Sequence, residues 1–197
     1  MAVSSRWNMD LGLQSGGNLP KGTTGKAFCQ HVWKALLAAM RDLGDGYHCV
    51  LGVGAQADAL DFLGAEVEGD VPGNVSIRSC IQQVEMLNSY ADVFVSHAGF
   101  NSMQESLMAG VPLIAVPQAM DQPENARKIE VSGWGRAFLE PMTTLTPAAL
   151  AAAVREVSAD ASPYLAEVSR VKGQLQGGHQ RAADRLLQLA AKPGARL

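Results

Sequence analysis

The sequence predicts an α/β fold with a doubly wound parallel sheet of the Rossmann-like kind. Short apolar runs of strand type alternate with segments whose apolar residues recur every three or four positions, as along one face of a helix. Turn-forming Gly, Pro, Asn and Asp residues separate these runs, and no internal repeat interrupts the alternation. The 197 residues are enough for a substantial core, so we predict one domain over residues 1–197.

The first half of the chain is predicted to supply one long helix and two strands. Residues 1–25 are expected to be irregular, because "AVSS" is long enough only for the end of a strand and a loop rich in Gly and Thr follows it. Apolar residues then repeat at helical spacing from Phe28 to Met40, until Gly44 and Gly46 end the helix. "YHCVLGV" and "NVSIRSCI" are typical of strands, and "ADALDFLG" between them predicts one or two helical turns.

The second half alternates more regularly. "QQVEMLNSY" predicts a short helix, "VFVS" a strand, and the next helix is expected to end at Gly110. "VPLIAVP" predicts a buried strand, and "DQPENARKIEVSGWG" a helix with Pro123 in its first turn. A last strand, "GRAFLE", precedes a helix with Thr146 as N-cap and Pro147 at the first position, and residues 163–191 form one or two closing helices.

Composition argues against several classes of protein. The net charge is −3 and no cluster of Lys and Arg occurs, so we expect no nucleic-acid partner. No stretch of about 18 apolar residues exists, so no membrane span is expected. Three scattered cysteines and the lack of a signal-peptide core favour a reducing compartment, and we predict a cytoplasmic protein. The four histidines lack metal-ligand spacing, and we expect neither a metal nor a cofactor.

The stretch "VFVSHAGFNSMQE" carries polar residues at a predicted turn from strand to helix. Ligands of doubly wound sheets bind outside the carboxyl ends of the strands, where the start of a helix offers free N–H groups and the positive end of its dipole. The small residues Ala98 and Gly99 would let a phosphate approach the backbone closely, and His97 could donate a hydrogen bond to it.

A purely structural explanation competes with this ligand site. Ser102 and Glu105 have the spacing of a capping box, and so do Asp121 and Glu124 at the next turn. A single histidine at the end of a strand is also more often structural than functional. The ligand site is favoured because two consecutive turns carry polar residues at the same edge of the predicted sheet.

The chain from about Tyr47 to its end resembles the C-terminal, donor-binding half of the UDP-glycosyltransferases. The specific part is an H-x-G-x-N-S-x-x-E string within "SHAGFNSMQE", followed by P-x-x-x-D-Q within "VPQAMDQPEN". That family includes plant secondary-product, animal glucuronosyl and bacterial macrolide enzymes. The resemblance implies the single C-terminal domain of a GT-B fold, and a UDP-sugar as the donor substrate.

The resemblance also implies which residues bind the donor. They are His97, Gly99, Asn101 and Ser102 for the diphosphate, Glu105 for the ribose, Cys80, Ile81 and Gln83 for the uracil, and Asp121 and Gln122 for the sugar. Phe100 and Asn125 lie beside these positions. The family transfers its sugar with inversion and without a metal ion, so the start of the helix and His97 would neutralise the leaving diphosphate.

The sequence departs from the family pattern at three places. "CIQQ" replaces the family's Trp-x-Pro-Gln, which puts Cys80, expected to be a small buried apolar side chain, where the family stacks uracil on an aromatic ring. Arg6 and Trp7 stand where the family's first strand ends in small residues. No part of the chain matches the acceptor-binding half with its catalytic His and Asp, and His31 is expected to pack rather than replace them.

Functions from different classes therefore remain open. The leading hypothesis is the donor half of an inverting hexosyltransferase, with no catalytic residue of its own, that needs a separate acceptor-binding domain or subunit. The alternative is a non-catalytic nucleotide-sugar-binding or interaction module, and a sugar-nucleotide epimerase fits the motifs less well. If one edge evolved against another domain, an apolar surface is expected near Val3–Trp7 and on the closing helix.

Overall fold

The computed structural model describes residues 7–63 and 71–191. Its strands are β1 (Cys49–Gly52), β2 (Val75–Arg78), β3 (Phe94–Ser96), β4 (Leu113–Ala115) and β5 (Gly135–Ala137). Its α-helices are α1 (Gly25–Leu43), α2 (Gln83–Ser89), α3 (Phe100–Ala109), α4 (Gln122–Val131), α5 (Pro141–Thr144), α6 (Pro147–Ser158), α7 (Pro163–Leu175) and α8 (Gly178–Ala190). Short 3₁₀ helices cover Leu11–Leu13, Gly44–Gly46 and Asp61–Leu63. The strand end predicted at "AVSS" lies outside the described residues.

All pairings between these strands are parallel, which confirms the predicted α/β class, but the described strands form two sheets. β1 pairs with β2, starting with Cys49 opposite Val75. β4 lies between β3 and β5, with Leu113 opposite both Phe94 and Gly135. Each connection between parallel neighbours crosses over through helical segments, as parallel pairing requires.

Helices cover the sheets on two sides and give each side its own core. α1 packs against α6 on one side, and α3 packs against α7 on the other. β4 is fully buried and serves both cores, because Ile114 belongs to the α1 side whereas Leu113 and Ala115 belong to the α3 side. A strand buried on both faces explains why "VPLIAVP" is a continuous apolar run rather than an alternating one.

Several predicted helix ends are confirmed. Gly110 ends α3 in the left-handed region with φ of 74°. Thr146 caps α6 by accepting a 3.2 Å hydrogen bond from the Ala149 N–H, and Pro147 follows it. The sequence did not reveal α5, which is only four residues long and therefore lacks a helical period.

Of the predicted apolar surface, the structure describes Trp7 and the closing helix, and only the closing helix is exposed. Trp7 is buried: its ring lies 6.1 Å from that of Trp33, and its indole N–H donates to Asp58 at 2.9 Å. Val3 lies outside the described residues. In α8 the side chains of Leu186 and Leu187 are 60% and 70% exposed.

The three cysteines are free, and they differ in exposure. Burial raises the pKa of the Cys29 thiol to about 12 and that of Cys49 to about 11, so both stay protonated at neutral pH. Cys80 is exposed, so the expectation that it is a buried apolar side chain is wrong. Over residues 7–63 and 71–191, no helix combines the length and apolarity that crossing a membrane requires.

Candidate functional site

The turn between β3 and α3 places backbone N–H groups at the carboxyl edge of the sheet. Gly99 is the N-cap of α3, and the first helical bond runs from the Met103 N–H to the Gly99 carbonyl at 3.0 Å. The N–H groups of residues 100–102 precede that bond, so they lie at the positive end of the helix dipole. Ala98 bends the chain into this turn with φ of 61° although it is not a glycine, and it is fully buried.

The His97 ring lies directly against the backbone of this turn. A Cβ atom built on Gly99 would lie only 2.6 Å from His97 Nε2, closer than side chains approach one another. Gly99 has φ of −60°, so its backbone conformation is open to any residue. The glycine is therefore required for the room that it leaves to the histidine, and the imidazole lies beside the free amides of α3.

The first predicted capping box is absent. No side chain caps α3, and Ser102 and Glu105 both interact with Gln83, which belongs to another helix. The Gln83 side-chain NH₂ donates to Glu105 Oε2 and, at 3.3 Å, to Ser102 Oγ. The start of α2 is thereby tied to the first two turns of α3, and Glu105 is oriented by the residue that the resemblance places at the uracil.

The turn between β2 and α2 is the open part of the site. Cys80 and Gln82 are exposed, and Ile81 is half-buried. α2 begins at Gln83 without a side-chain cap. Gln83 therefore connects this turn to the start of α3, whereas Cys80 presents a small side chain to solvent.

The turn between β4 and α4 carries the other predicted polar pair, and the two side chains differ. Asp121 is exposed, and it accepts a 2.9 Å hydrogen bond from Asn125 Nδ2. Gln122 is 3% exposed, and its side-chain carbonyl accepts from the N–H groups of Gln118 and Ala119 at 2.9 and 3.2 Å. Gln122 thus holds its own loop, and Asp121 is the member of the pair that faces outward.

The second predicted capping box is also absent. No side chain caps α4, and Glu124 pairs instead with Arg127 one turn along the helix. Asn125 connects two of the turns, a role that the sequence did not reveal. Its Nδ2 donates to Asp121 and also to the Ala98 carbonyl, at 2.9 Å. Its spacing of four from Asp121 was the available signal, since residues four apart share a helix face.

The fold therefore brings three turns to one edge of the sheets. Gln83 joins the first turn to the second, and Asn125 joins the second to the third. Amides and an imidazole can hold an anion, and the carboxylates of Glu105 and Asp121 can accept hydrogen bonds from hydroxyl groups. Within residues 7–63 and 71–191, no three His, Cys, Asp or Glu side chains cluster closely enough to hold a metal ion.

The family model described as the C-terminal domain of erythromycin biosynthesis protein CIII-like proteins matches residues 59–177. This match covers more than half of the chain and all three turns of the site. The chain belongs to this family. The resemblance to the donor-binding half of the glycosyltransferases is thereby confirmed.

Individual relatives agree with the family assignment. The NDP-glycosyltransferase YjiC of Bacillus licheniformis is 35% identical over 153 residues, which cover 76% of this chain and 36% of YjiC. The oleandomycin glycosyltransferase of Streptomyces antibioticus is 33% identical over 144 residues, which cover 71% of this chain and 30% of that enzyme. The chain thus spans about a third of the length of these curated relatives.

Solved structures confirm the fold of this EryCIII-like domain. The crystal structure of the glycotransferase of kitacinnamycin superposes with a TM-score of 0.67 and 33% identity, over 80% of this chain and 38% of that one. CalG4, the calicheamicin glycosyltransferase, superposes with a TM-score of 0.62 and 26% identity, over 83% of this chain and 39% of the CalG4 chain. The chain therefore has the fold of the C-terminal domain of GT-B glycosyltransferases.

Proposed function

We propose that this chain binds a UDP-sugar as the donor half of a glycosyltransferase, which moves a hexose to an acceptor hydroxyl with inversion and without a metal ion. The observation that carries the proposal is the β3–α3 turn, where the His97 ring lies against Gly99 beside the free amides of α3. This arrangement suits a diphosphate, because the amides, the helix dipole and an imidazole all favour negative charge.

The ribose position follows from the geometry around α3. Glu105 lies on the same helix as the free amides, one to two turns further along. Its carboxylate has two oxygens, and in this structure Gln83 occupies Oε2. A ribose diol needs two acceptors, so we propose that the diol binds at Glu105 and shares it with the Gln83 amide.

The two ends of the donor are expected to be held unequally. The sugar would lie near Asp121, whose carboxylate is exposed beside the diphosphate turn through Asn125. The uracil would lie over Cys80 and Ile81, where the exposed thiol offers no aromatic surface. Base recognition is therefore the weakest part of the proposed site.

In the proposed reaction the acceptor oxygen attacks the anomeric carbon while the bond from that carbon to the diphosphate oxygen breaks. The hydroxyl proton must pass to a base, and we assign that base to an acceptor-binding domain or subunit. The part played by this chain is to hold the donor and to stabilise the charge that develops on the leaving UDP, through His97 and the start of α3. We also propose a cytoplasmic setting, since the three cysteines are free.

Calorimetric titration with UDP and with UDP-glucose tests the binding step. Glu105→Ala should weaken the binding of both ligands by about 1–3 kcal/mol, because hydrogen bonds from the diol to a carboxylate are lost. Glu124→Ala is the matched control, since Glu124 lies exposed on α4 and pairs with the exposed Arg127 on the same helix. Absence of heat and of a thermal shift at millimolar UDP would refute the proposal, as would equal effects of the two substitutions.

One observation favours the non-catalytic alternative. Cys80 is small and exposed where the resemblance places the stacking ring, as expected after loss of selection for tight nucleotide binding. The alternative predicts that UDP-sugar binds but that no sugar is transferred or hydrolysed once the acceptor-binding polypeptide is supplied. Transfer to an acceptor in that mixture supports the enzyme instead.

A further inference from the structure

The backbone is left-handed at two residues other than glycine within residues 7–63 and 71–191. They are Ala98 and Met120, with φ of 61° and 63°. A side chain in this conformation crowds the backbone, so glycine is the residue that adopts it without cost. Ala98 lies in the turn between β3 and α3, and Met120 lies directly before Asp121 in the turn between β4 and α4. Both strained residues therefore belong to turns of the proposed donor site.

The two residues differ in what their side chains contribute to the fold. Ala98 is fully buried in the core on the α3 side, so its methyl group fills space that a glycine would leave empty. Met120 is 61% exposed, so a glycine in its place would relieve the strain and give up little buried surface. The packing of this chain therefore does not explain a methionine at position 120. Strained residues of this kind cluster at sites that contact ligands.

The loop formed by residues 10–24 holds Met120 from outside its own turn. The Met120 N–H donates to the Gln14 carbonyl at 3.3 Å. Asp10 and Thr24 form a bridge that brings the two ends of the loop together. The Asp10 carboxylate also accepts from two backbone N–H groups inside the loop, at 2.9 and 3.0 Å. Compact loops with adjacent ends are often functional, and this one gives Met120 a fixed support.

We propose that Met120 recognises the donor sugar and that its side chain covers the hexose bound at Asp121. This inference rests on the proposed function, which puts the sugar beside the Asp121 carboxylate. A hexose presents C–H groups between its hydroxyls, and a thioether side chain is apolar and flexible enough to pack against them. Asp121 accepts hydrogen bonds from the hydroxyl groups while Met120 covers the ring, the combination of polar and apolar contacts that small-molecule sites use.

Calorimetry of two truncated variants tests this contact. Met120→Ala removes the side chain and keeps the left-handed backbone. Met108→Ala is the matched control, because Met108 is 59% exposed and lies near the carboxyl end of α3, away from the turns of the site. Met120→Ala should weaken the binding of UDP-glucose by about five- to tenfold and change that of UDP by less than about twofold, since only an apolar contact with the sugar is lost. Met108→Ala should change neither affinity.

Thermal denaturation of Met120→Gly tests the strain without any nucleotide. Glycine adopts the left-handed conformation freely, so the melting temperature should rise by about 2–4 °C. The affinity of the same variant for UDP-glucose should fall as it does in Met120→Ala. A variant that gains stability and loses affinity for the sugar shows that the methionine side chain serves the ligand rather than the fold.

Three results would overturn the role of Met120. A lower melting temperature of Met120→Gly would mean that the side chain is needed for packing. Equal losses of affinity for UDP and UDP-glucose would mean that the side chain does not act through the sugar, and unchanged binding of both ligands would mean that it contacts neither. Failure of the unmodified chain to bind UDP refutes the proposed function itself, whereas binding of UDP without an effect of Met120 on UDP-glucose refutes only this inference.

Discussion

The β3–β4–β5 part of the molecule and the β1–β2 part are packed to different degrees. In the former, Leu113, Ile114 and Ala115 of β4 are fully buried, and both turns at its carboxyl edge are tied together through Asn125. In the latter, Val50 is only half-buried, and Arg78 at the end of β2 is exposed. The former part therefore has a central strand covered on both faces, although β3 at its edge borders the same cleft of about 820 Å³ as β1 does.

The difference in packing matches the proposed roles of the two parts, since the β3–β4–β5 part would bind the diphosphate and the β1–β2 part the nucleobase. A diphosphate is held mostly by backbone amides and a helix dipole, so the essential requirements are a small residue at Gly99 and a well-packed strand beneath it. A nucleobase is held by the face of a side chain, and that side chain can change without unfolding the turn. Cys80 is exposed, which is consistent with such a change.

The largest expected effect compares the stability of the two parts. Ile114→Ala should lower the free energy of unfolding by about 2–5 kcal/mol, because Ile114 is fully buried in β4 and truncation leaves a cavity. Val50→Ala should cost less than about 1.5 kcal/mol, since Val50 is half-buried beside an existing cleft. Urea denaturation of both variants measures the difference, and equal losses would show that the two parts are equally packed.

The next largest effect concerns the turn between β3 and α3, where we propose that the diphosphate binds. Gly99→Ala should weaken UDP binding by about 10- to 100-fold with little loss of stability, because the backbone conformation accepts alanine while the new Cβ must push the His97 ring aside. Calorimetry and thermal denaturation give the two readouts.

A double variant separates the role of the histidine from that of the turn. His97→Ala removes the ring, so adding Gly99→Ala to it should produce little further loss of affinity. Additive losses would mean that the glycine acts on the ligand directly and that the packing of His97 against the turn is incidental.

The β3–β4–β5 part was the easier one to predict from sequence. Its strands are continuous apolar runs, and its helices carry local signals such as Gly110 and Pro147, so their placement depends on neighbours in the chain. His97 and Asp121 were predicted to lie on one edge of the sheet because the carboxyl ends of parallel strands lie at the same edge.

The features that escaped prediction depend on contacts between distant segments. A capping box and a ligand-binding pair share one sequence pattern, and what decides against the cap at Ser102 and Glu105 is Gln83, which arrives from another helix. The burial of Gln122 depends likewise on how its own loop closes over it. Trp7 was expected on an apolar surface, whereas it is buried against Trp33 and donates to Asp58, a partner 51 positions away.

The smallest expected effect comes from placing an aromatic ring in the turn between β2 and α2. Cys80→Trp should tighten UDP binding by about two- to tenfold, because stacking on an aromatic ring contributes about 0.5–1.5 kcal/mol beyond burial. Stability should stay unchanged, since the Cys80 side chain is exposed and its replacement disturbs no packed neighbour. Cys80→Ser, which has no ring, is the matched control and should bind UDP as the unmodified chain does.

Comparing UDP with pyrophosphate shows whether the gain in affinity of Cys80→Trp arises from contact with the base. In the proposed site pyrophosphate contacts only the turn between β3 and α3, so Cys80→Trp should leave the affinity for pyrophosphate unchanged while that for UDP rises. A gain for both ligands would place the new ring near the phosphates, and a gain for neither would mean that the base does not lie over residue 80. Either result would remove the contrast between a turn that binds through its backbone and a turn that binds through a side chain, because the β2–α2 turn would then have no part in holding the base.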